Sequence, residues 1–221
     1  MRLIKIIKLQ IKSIVRHIPV YDFWLRLYRK KILSVWEKSN KLGSPPHLIK
    51  QMVIKEYARR FNINTLIETG TYLGDMINSV KDIFKEIYSI ELDSDLFRVA
   101  QRRFRKYPHI HIIYGDSSKM LSEVLKLIST RCLFWLDAHY SGGFTAKGKK
   151  DTLIEEELDC ILSNWVNGWV ILIDDARLFV GQNGYPNLRE LQLFILSRLS
   201  KYSPTINFDI KDDIIRIYTT Q

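Results

Sequence analysis

Cysteine is nearly absent: Cys132 and Cys160 are the only two, far apart and outside any Cys/His spacing that would hold a metal. This excludes a disulfide framework and a zinc site, and it fits a reducing, cytoplasmic setting. The chain also lacks any apolar run near the roughly 18 residues that cross a bilayer. A lysine interrupts each N-terminal apolar stretch and no small-residue cleavage site follows, so neither a membrane span nor a secretory signal is expected. Internal repeats and low-complexity tracts are missing too. What is present is 221 residues that are 46% hydrophobic, enough for one full core and too few for two large domains.

Acidic residues are scarce at the start. Residues 1 to 40 hold ten Lys and Arg against Asp22 and Glu37, which places +8 of the net +10 there. In MRLIKIIKLQIKSIVRHIPV, Lys5, Lys8, Lys12 and Arg16 recur at three- and four-residue steps, while Ile4, Ile7, Ile11, Ile14 and Val15 fill the other side. The pattern predicts a basic amphipathic helix. It can lie peripherally on an anionic membrane surface, or dock its apolar stripe on the rest of the chain or on a second copy in a homo-oligomer. Nucleic acid ranks last, because no nucleic-acid-binding module follows. The aromatic, basic segment YDFWLRLYRKKILSVW leaves the same choice open. Gly43, Ser44, Pro45 and Pro46 then halt any helix, which divides the chain into an arm, 1–42, and a domain, 43–221.

Within that domain helical and apolar strand patterns alternate. Strands are predicted at Thr65–Glu68, Ile87–Leu92, His111–Tyr114, Cys132–Asp137 and Val170–Asp174. Helices fall over His47–Arg60, up to about Phe84, Asp95–Lys106, Lys119–Ile128, onward from Thr152, and over Leu188–Leu199. Alternation of this kind implies an α/β, Rossmann-like, doubly wound sheet with helices on both faces. Thr152 and Glu155 have capping-box spacing, which sets the start of one helix. At the end INFDI and IIRIY, parted by Lys211 to Asp213, must pair as an antiparallel hairpin. The expectation is seven strands, mostly parallel, behind a helical arm.

Two constellations carry chemistry. In ETGTYLGD, Gly70 and Gly74 flank Thr71, Tyr72 and Leu73 where a strand turns into a helix, and glycine there lets a ligand approach the backbone. Glu91 follows about 20 residues later at the end of the next strand, where an acid can accept from ribose hydroxyls. The same glycines also serve an ordinary tight turn. An NAD-dependent oxidoreductase is disfavoured because its G-x-G-x-x-G needs a central glycine that is missing here. The second constellation is acidic: CLFWLD delivers Asp137 and VILIDD delivers Asp174 and Asp175 to one crevice. Three converging carboxylates repel one another unless a cation joins them, and oxygen ligands favour Mg²⁺.

On these motifs the stretch from about His47 to Tyr218 resembles the class I S-adenosylmethionine-dependent methyltransferases, whose glycine motif reads E-x-G-x-x-x-G and whose sheet ends in an antiparallel hairpin. The resemblance implies that Glu68, Gly70, Thr71 and Gly74 line the methionine and ribose part of S-adenosylmethionine, with Glu91 on the ribose hydroxyls. Asp116 in YGDSS is similar to the family's acid near the adenine amine, with Ser117 beside it; Asp116 also suits a helix N-cap. The acids resemble those of metal-dependent O-methyltransferases of the catechol and macrocin type, although LDAHY and IDDAR match neither subgroup's wording. That likeness implies Asp137, Asp174 and Asp175 as Mg²⁺ ligands, Asp137 also serving catalysis by positioning the hydroxyl.

His139, two residues past Asp137, is the candidate general base, since an imidazole titrates near neutrality; its plainer role is to steady the acids. The loop HYSGGFTAKGKKD, with Lys147, Lys149 and Lys150, reads as a substrate lid or as a solvated charged face. The resemblance thus implies methyl transfer onto a hydroxyl of a sugar, glycan or other polyhydroxylated molecule. The rival reading is a non-catalytic Rossmann-like module whose arm binds a membrane or protein partner.

Overall fold

The computed structural model describes residues 19–39, 43–137, 152–200 and 205–219, with residues 19–26 and 29 described by their backbone alone. The basic helix expected over the first residues, His139 and the lysine-bearing loop lie outside the described residues. The chain divides into two compact units, residues 1–49 and 50–221. The first holds helix α1, Pro19–Lys38, and the start of α2, His47–Arg60, which runs on into the second. Among the described residues no helix is long and apolar enough to cross a membrane.

The second unit alternates β1 (Thr65–Thr69), α3 (Asp75–Val80), β2 (Glu86–Glu91), α4 (Ser94–Phe104), β3 (Ile110–Tyr114), α5 (Ser117–Lys126), β4 (Cys132–Leu136), α6 (Ile154–Ser163) and β5 (Val170–Ile173). A short 3₁₀ turn (Ala176–Leu178), α7 (Leu188–Leu199), β6 (Ile206–Lys211) and β7 (Ile214–Thr219) complete it. The sheet has seven strands in the order β3-β2-β1-β4-β5-β7-β6. The first five are parallel, and β7 runs antiparallel between β5 and β6. This is the doubly wound, mostly parallel sheet that the alternation predicts.

Every residue of β1, β4 and β5 is buried, because helices cover both faces of a parallel sheet and its central strands need apolar side chains on both. On one face Ile67, Phe134, Leu136, Ile171, Ile173 and Ile215 pack with Leu121 and Val124 of α5, Leu158 and Ile161 of α6, and Leu191 and Ile195 of α7. On the other, α2 meets β7 through the edge-on contact of Tyr57 with Tyr218, ring centroids 5.7 Å apart. The hairpin is tighter than its sequence implies: Lys211 pairs with Ile214, leaving only Asp212 and Asp213 in the turn. Both have positive φ, 53° and 59°, the conformation that matches strand twist in two-residue hairpins.

One helix start is corrected. The Thr152 hydroxyl accepts from the Ile154 N–H at 3.1 Å and not from Glu155, so α6 begins at Ile154 after Leu153, which makes no side-chain cap bond. The capping box occurs instead at α7, where Asn187 accepts from the Glu190 N–H at 2.9 Å and Glu190 accepts from the Asn187 N–H at 3.0 Å. That signal, Asn-x-x-Glu, has the same spacing and is present in the sequence.

Candidate active site

The parallel register lines up the strand ends. Thr69 of β1 pairs with Leu136 of β4, which pairs with Ile173 of β5. The Asp137 N–H donates to Thr69 O at 3.2 Å and the Asp174 N–H to Leu136 O at 3.0 Å. The glycine turn and the first two acids therefore leave adjacent strands at one level, on either side of the point where the chain changes direction across the sheet. In open α/β sheets that point is where ligands bind.

The glycine turn is held from several sides. Gly70 and Thr71 both donate their N–H to Ile90 O, at 2.9 and 3.2 Å. Gly70 has φ 88° and Gly74 φ 69°, and a Cβ on Gly74 would stand 2.5 Å from Phe104 Cε2, so a side chain is excluded on both counts. Arg103 of α4 donates to Leu73 O and pairs with Asp75 at 2.9 Å. The sequence reading did not single out Arg103; it lies in a basic run whose neighbours face solvent.

Glu91 accepts from the Tyr72 N–H at 2.7 Å and from the Asp93 N–H at 2.9 Å, one on each oxygen. These bonds fix its carboxylate against the glycine turn and leave lone pairs for a further donor. Burial raises its pKa against those backbone bonds. Glu68 is fully buried beneath it and accepts from the Ser89 hydroxyl at 2.5 Å; Ser89 in turn bonds Thr71 Oγ1 at 2.6 Å. Burial pushes the Glu68 carboxyl up to about 8, the Ser89 bond opposing and the charges of Asp137 and Glu91 adding to the rise. At neutral pH it is mostly a neutral acid.

Asp116 is the N-cap of α5, accepting from the Ser118 N–H at 3.0 Å and the Ser118 hydroxyl at 2.7 Å. Its neighbour Ser117 is buried, close enough to Glu157 of α6 to influence its carboxyl. Sequence reading does not single out Glu157. It accepts from the Thr69 hydroxyl at 3.4 Å, and its Oε1 has no hydrogen-bond partner among the described residues. Burial pushes it to about 8, against the Ser117 and Thr69 hydroxyls. Ile154, Glu157, Leu158, Ile161 and Leu162 are the buried set of α6, so helical periodicity alone places Glu157, and not Glu155 or Glu156, on the inward face.

Asp137, Asp174 and Asp175 do come together: each offers an oxygen, and the three lie within 4.8 Å of one another. Asp175 has φ 55°, a left-handed conformation that Asp tolerates better than most residues. Its N–H donates to Asp174 Oδ1 at 2.9 Å. Arg177 donates to Asp175 Oδ1 at 2.8 Å and also to Asp213 of the hairpin turn. From α2, Lys50 donates to Asp174 and stands 3.7 Å from Asp175. Burial alone would lower the Lys50 pKa, but the charges of Asp174, Asp137 and Asp175 outweigh it and hold the ammonium above its ordinary value. Burial raises Asp174, with Lys50 opposing.

The donor set suits a hard divalent ion. Oxygens about 2.1 Å from Mg²⁺ stand up to roughly 4.2 Å apart across it, near the spacing these carboxylates already have. Asp174 and Glu157 also border a small cavity walled by Phe179 and Tyr185, whose rings meet edge-on with centroids 5.2 Å apart.

No protein-family model matches the chain. Curated relatives include ribosomal RNA small subunit methyltransferase A of Clostridium botulinum, 33% identical over 95 residues, which are 41% of this chain and 34% of the relative. The chain thus spans about a third of the length of the curated relatives it matches. Among solved structures, an O-methyltransferase from Bacillus cereus in complex with S-adenosylhomocysteine superposes with a TM-score of 0.55 at 10% identity, covering 87% of this chain and 90% of that one. The O-methyltransferase TomG from Streptomyces achromogenes, in complex with S-adenosylmethionine, gives 0.55 at 14% identity, covering 87% and 89%. A Podospora anserina methyltransferase bound to S-adenosylhomocysteine gives 0.53 at 17%, covering 92% and 97%. The chain has the class I S-adenosylmethionine-dependent methyltransferase fold.

Proposed function

We propose that this protein is an S-adenosylmethionine-dependent O-methyltransferase acting on a hydroxyl of a sugar, glycan or other polyhydroxylated molecule, assisted by a divalent metal. The observation that carries the reading is the adjacency of a glycine turn and three carboxylates at the ends of neighbouring strands, joined by the Asp137 N–H to Thr69 O bond of 3.2 Å. A donor cradle alone fits many reactions. Beside an oxygen-rich cation site it fits transfer to an oxygen nucleophile, since an alcohol is a poor nucleophile until its proton begins to leave.

In this reading Gly70 and Gly74 admit the methyl donor to the backbone, and Glu91, already anchored by Tyr72 and Asp93, accepts from its ribose hydroxyls. Asp116 and Ser117 border the adenine. Asp137, Asp174 and Asp175 would hold Mg²⁺, which would polarise and orient the acceptor hydroxyl. The hydroxyl oxygen takes the methyl group as the carbon–sulfur bond breaks with its electron pair returning to sulfur, and the proton leaves to a base. His139, outside the described residues, is the proposed base. Phe179 and Tyr185 offer an apolar wall at the acceptor end, and the basic arm would bring the protein to an anionic membrane where a lipid-linked acceptor resides.

Methyl transfer from labelled S-adenosylmethionine to a panel of glycans, with Mg²⁺ and with chelator, tests the reading. Label transfer that needs Mg²⁺ and is lost in Asp137→Asn supports it. Cofactor binding with no transfer to any hydroxyl acceptor, the same in wild type and Asp137→Asn, favours the non-catalytic module.

A further inference from the structure

Lys50 stands where a cation of the acid cluster would stand. Its ammonium bonds Asp174, lies 3.7 Å from Asp175 and feels the charge of Asp137, the same three residues that offer ligand oxygens within 4.8 Å of one another. We propose that Lys50 is a tethered competitor for the divalent metal at Asp137, Asp174 and Asp175, displaced when metal enters, and so sets how tightly the site takes a metal. This rests on the metal-assisted reading above and adds to it a residue of this chain that tunes the site.

The competition follows from geometry and charge. Metal and ammonium seek the same Asp174 carboxylate, and two cations so close in a buried site repel strongly. The Lys50 side chain is 12% exposed and that of Asp174 is fully buried, so the ion pair is poorly screened. Lysine carries its charge as a point on a flexible four-carbon stem and can swing aside when a doubly charged ion replaces it. Arg177 is the poorer competitor, because its guanidinium is more exposed, is shared with Asp213, and pairs with Asp175 rather than with Asp174. Lys50 therefore keeps the carboxylates together while metal is absent and weakens metal binding in proportion to the pair that must break.

The test titrates the full chain with Mn²⁺ and with Mg²⁺ by calorimetry, comparing wild type, Lys50→Met, Lys50→Arg and Asp174→Asn, with melting curves in parallel. Lys50→Met should bind metal at least tenfold more tightly than wild type, and metal should raise its melting temperature more. Asp174→Asn should lose the binding. Wild-type binding that is unchanged or weaker in Lys50→Met overturns the inference and leaves the metal-assisted reading standing. No binding in wild type or in Lys50→Met overturns both. If Lys50→Met does not fold, Lys50→Arg keeps the charge and decides alone: its fork can hold two carboxylates, so it should bind metal more weakly than wild type, and equal or tighter binding overturns the proposal.

Discussion

Arg177, in the short turn after β5, donates to Asp213 in the tip of the C-terminal hairpin. The same nitrogen donates to Asp175 at 2.8 Å, and the Ala176 N–H donates to Asp213 O at 2.9 Å. The antiparallel hairpin therefore does more than close the sheet: it supplies the support behind an acid of the site. Asp213→Ala should free Arg177 and let Asp175 wander. Because Arg177 is 41% exposed, the stability loss should be modest, about 1 kcal/mol by thermal melting. Metal affinity and turnover should fall well beyond that, while S-adenosylmethionine affinity stays near wild type.

Gly74→Ala tests the glycine turn. A Cβ there would clash with the Phe104 ring at 2.5 Å, and φ is 69°. Overpacking and left-handed strain together should destabilise by about 1–3 kcal/mol, read as a lower melting temperature. Phe104→Leu in the same background should recover part of the loss.

Glu157 should make stability fall with rising pH. Its carboxyl is pushed from 4.5 in the unfolded chain to about 8 in the fold, so the folded state binds more protons across that window and loses stability as pH climbs through it. Each such group contributes at most about 1.4 kcal/mol per pH unit. Denaturant unfolding of Glu157→Gln should show a shallower decline between about pH 5 and 8, with the advantage over wild type growing toward the alkaline end. An identical slope would mean that Glu157 ionises without penalty.

Glu68 predicts a proton released on cofactor binding. It sits at about 8 under the glycine turn, and a sulfonium brought close to it favours its ionised form. Calorimetry near pH 7 in buffers of different ionisation enthalpy should show proton release with S-adenosylmethionine and less with S-adenosylhomocysteine, whose thioether sulfur carries no charge. Glu68→Gln should abolish the difference.

Much of this arrangement is legible from the sequence because it rests on local patterns. The continuous apolar runs of β4 and β5 mark buried parallel strands, and Asp137 and Asp174 follow those runs directly. Asp116 reads correctly as a cap because capping is a matter of two or three residues. Lys50 is different: it meets Asp174 across 124 positions of chain, and no local motif announces such a pairing. A signal was nonetheless present. Val53, Ile54, Tyr57 and Ala58 form the buried face of α2, and Lys50 falls three and four residues before the first two, on that face. A charged residue on a buried stripe needs a partner, as Glu157 does on α6. The Thr152–Glu155 spacing misled because the chain enters α6 two residues later, with the Thr152 hydroxyl taken by Ile154.

The most direct measurement is calorimetric titration of the purified chain with S-adenosylmethionine, set beside NAD and beside a Gly70→Arg variant whose fold is checked by circular dichroism. One S-adenosylmethionine per chain, no NAD, and loss of binding in a folded Gly70→Arg is the predicted result. A folded wild-type chain that takes up no S-adenosylmethionine would contradict the methyltransferase reading.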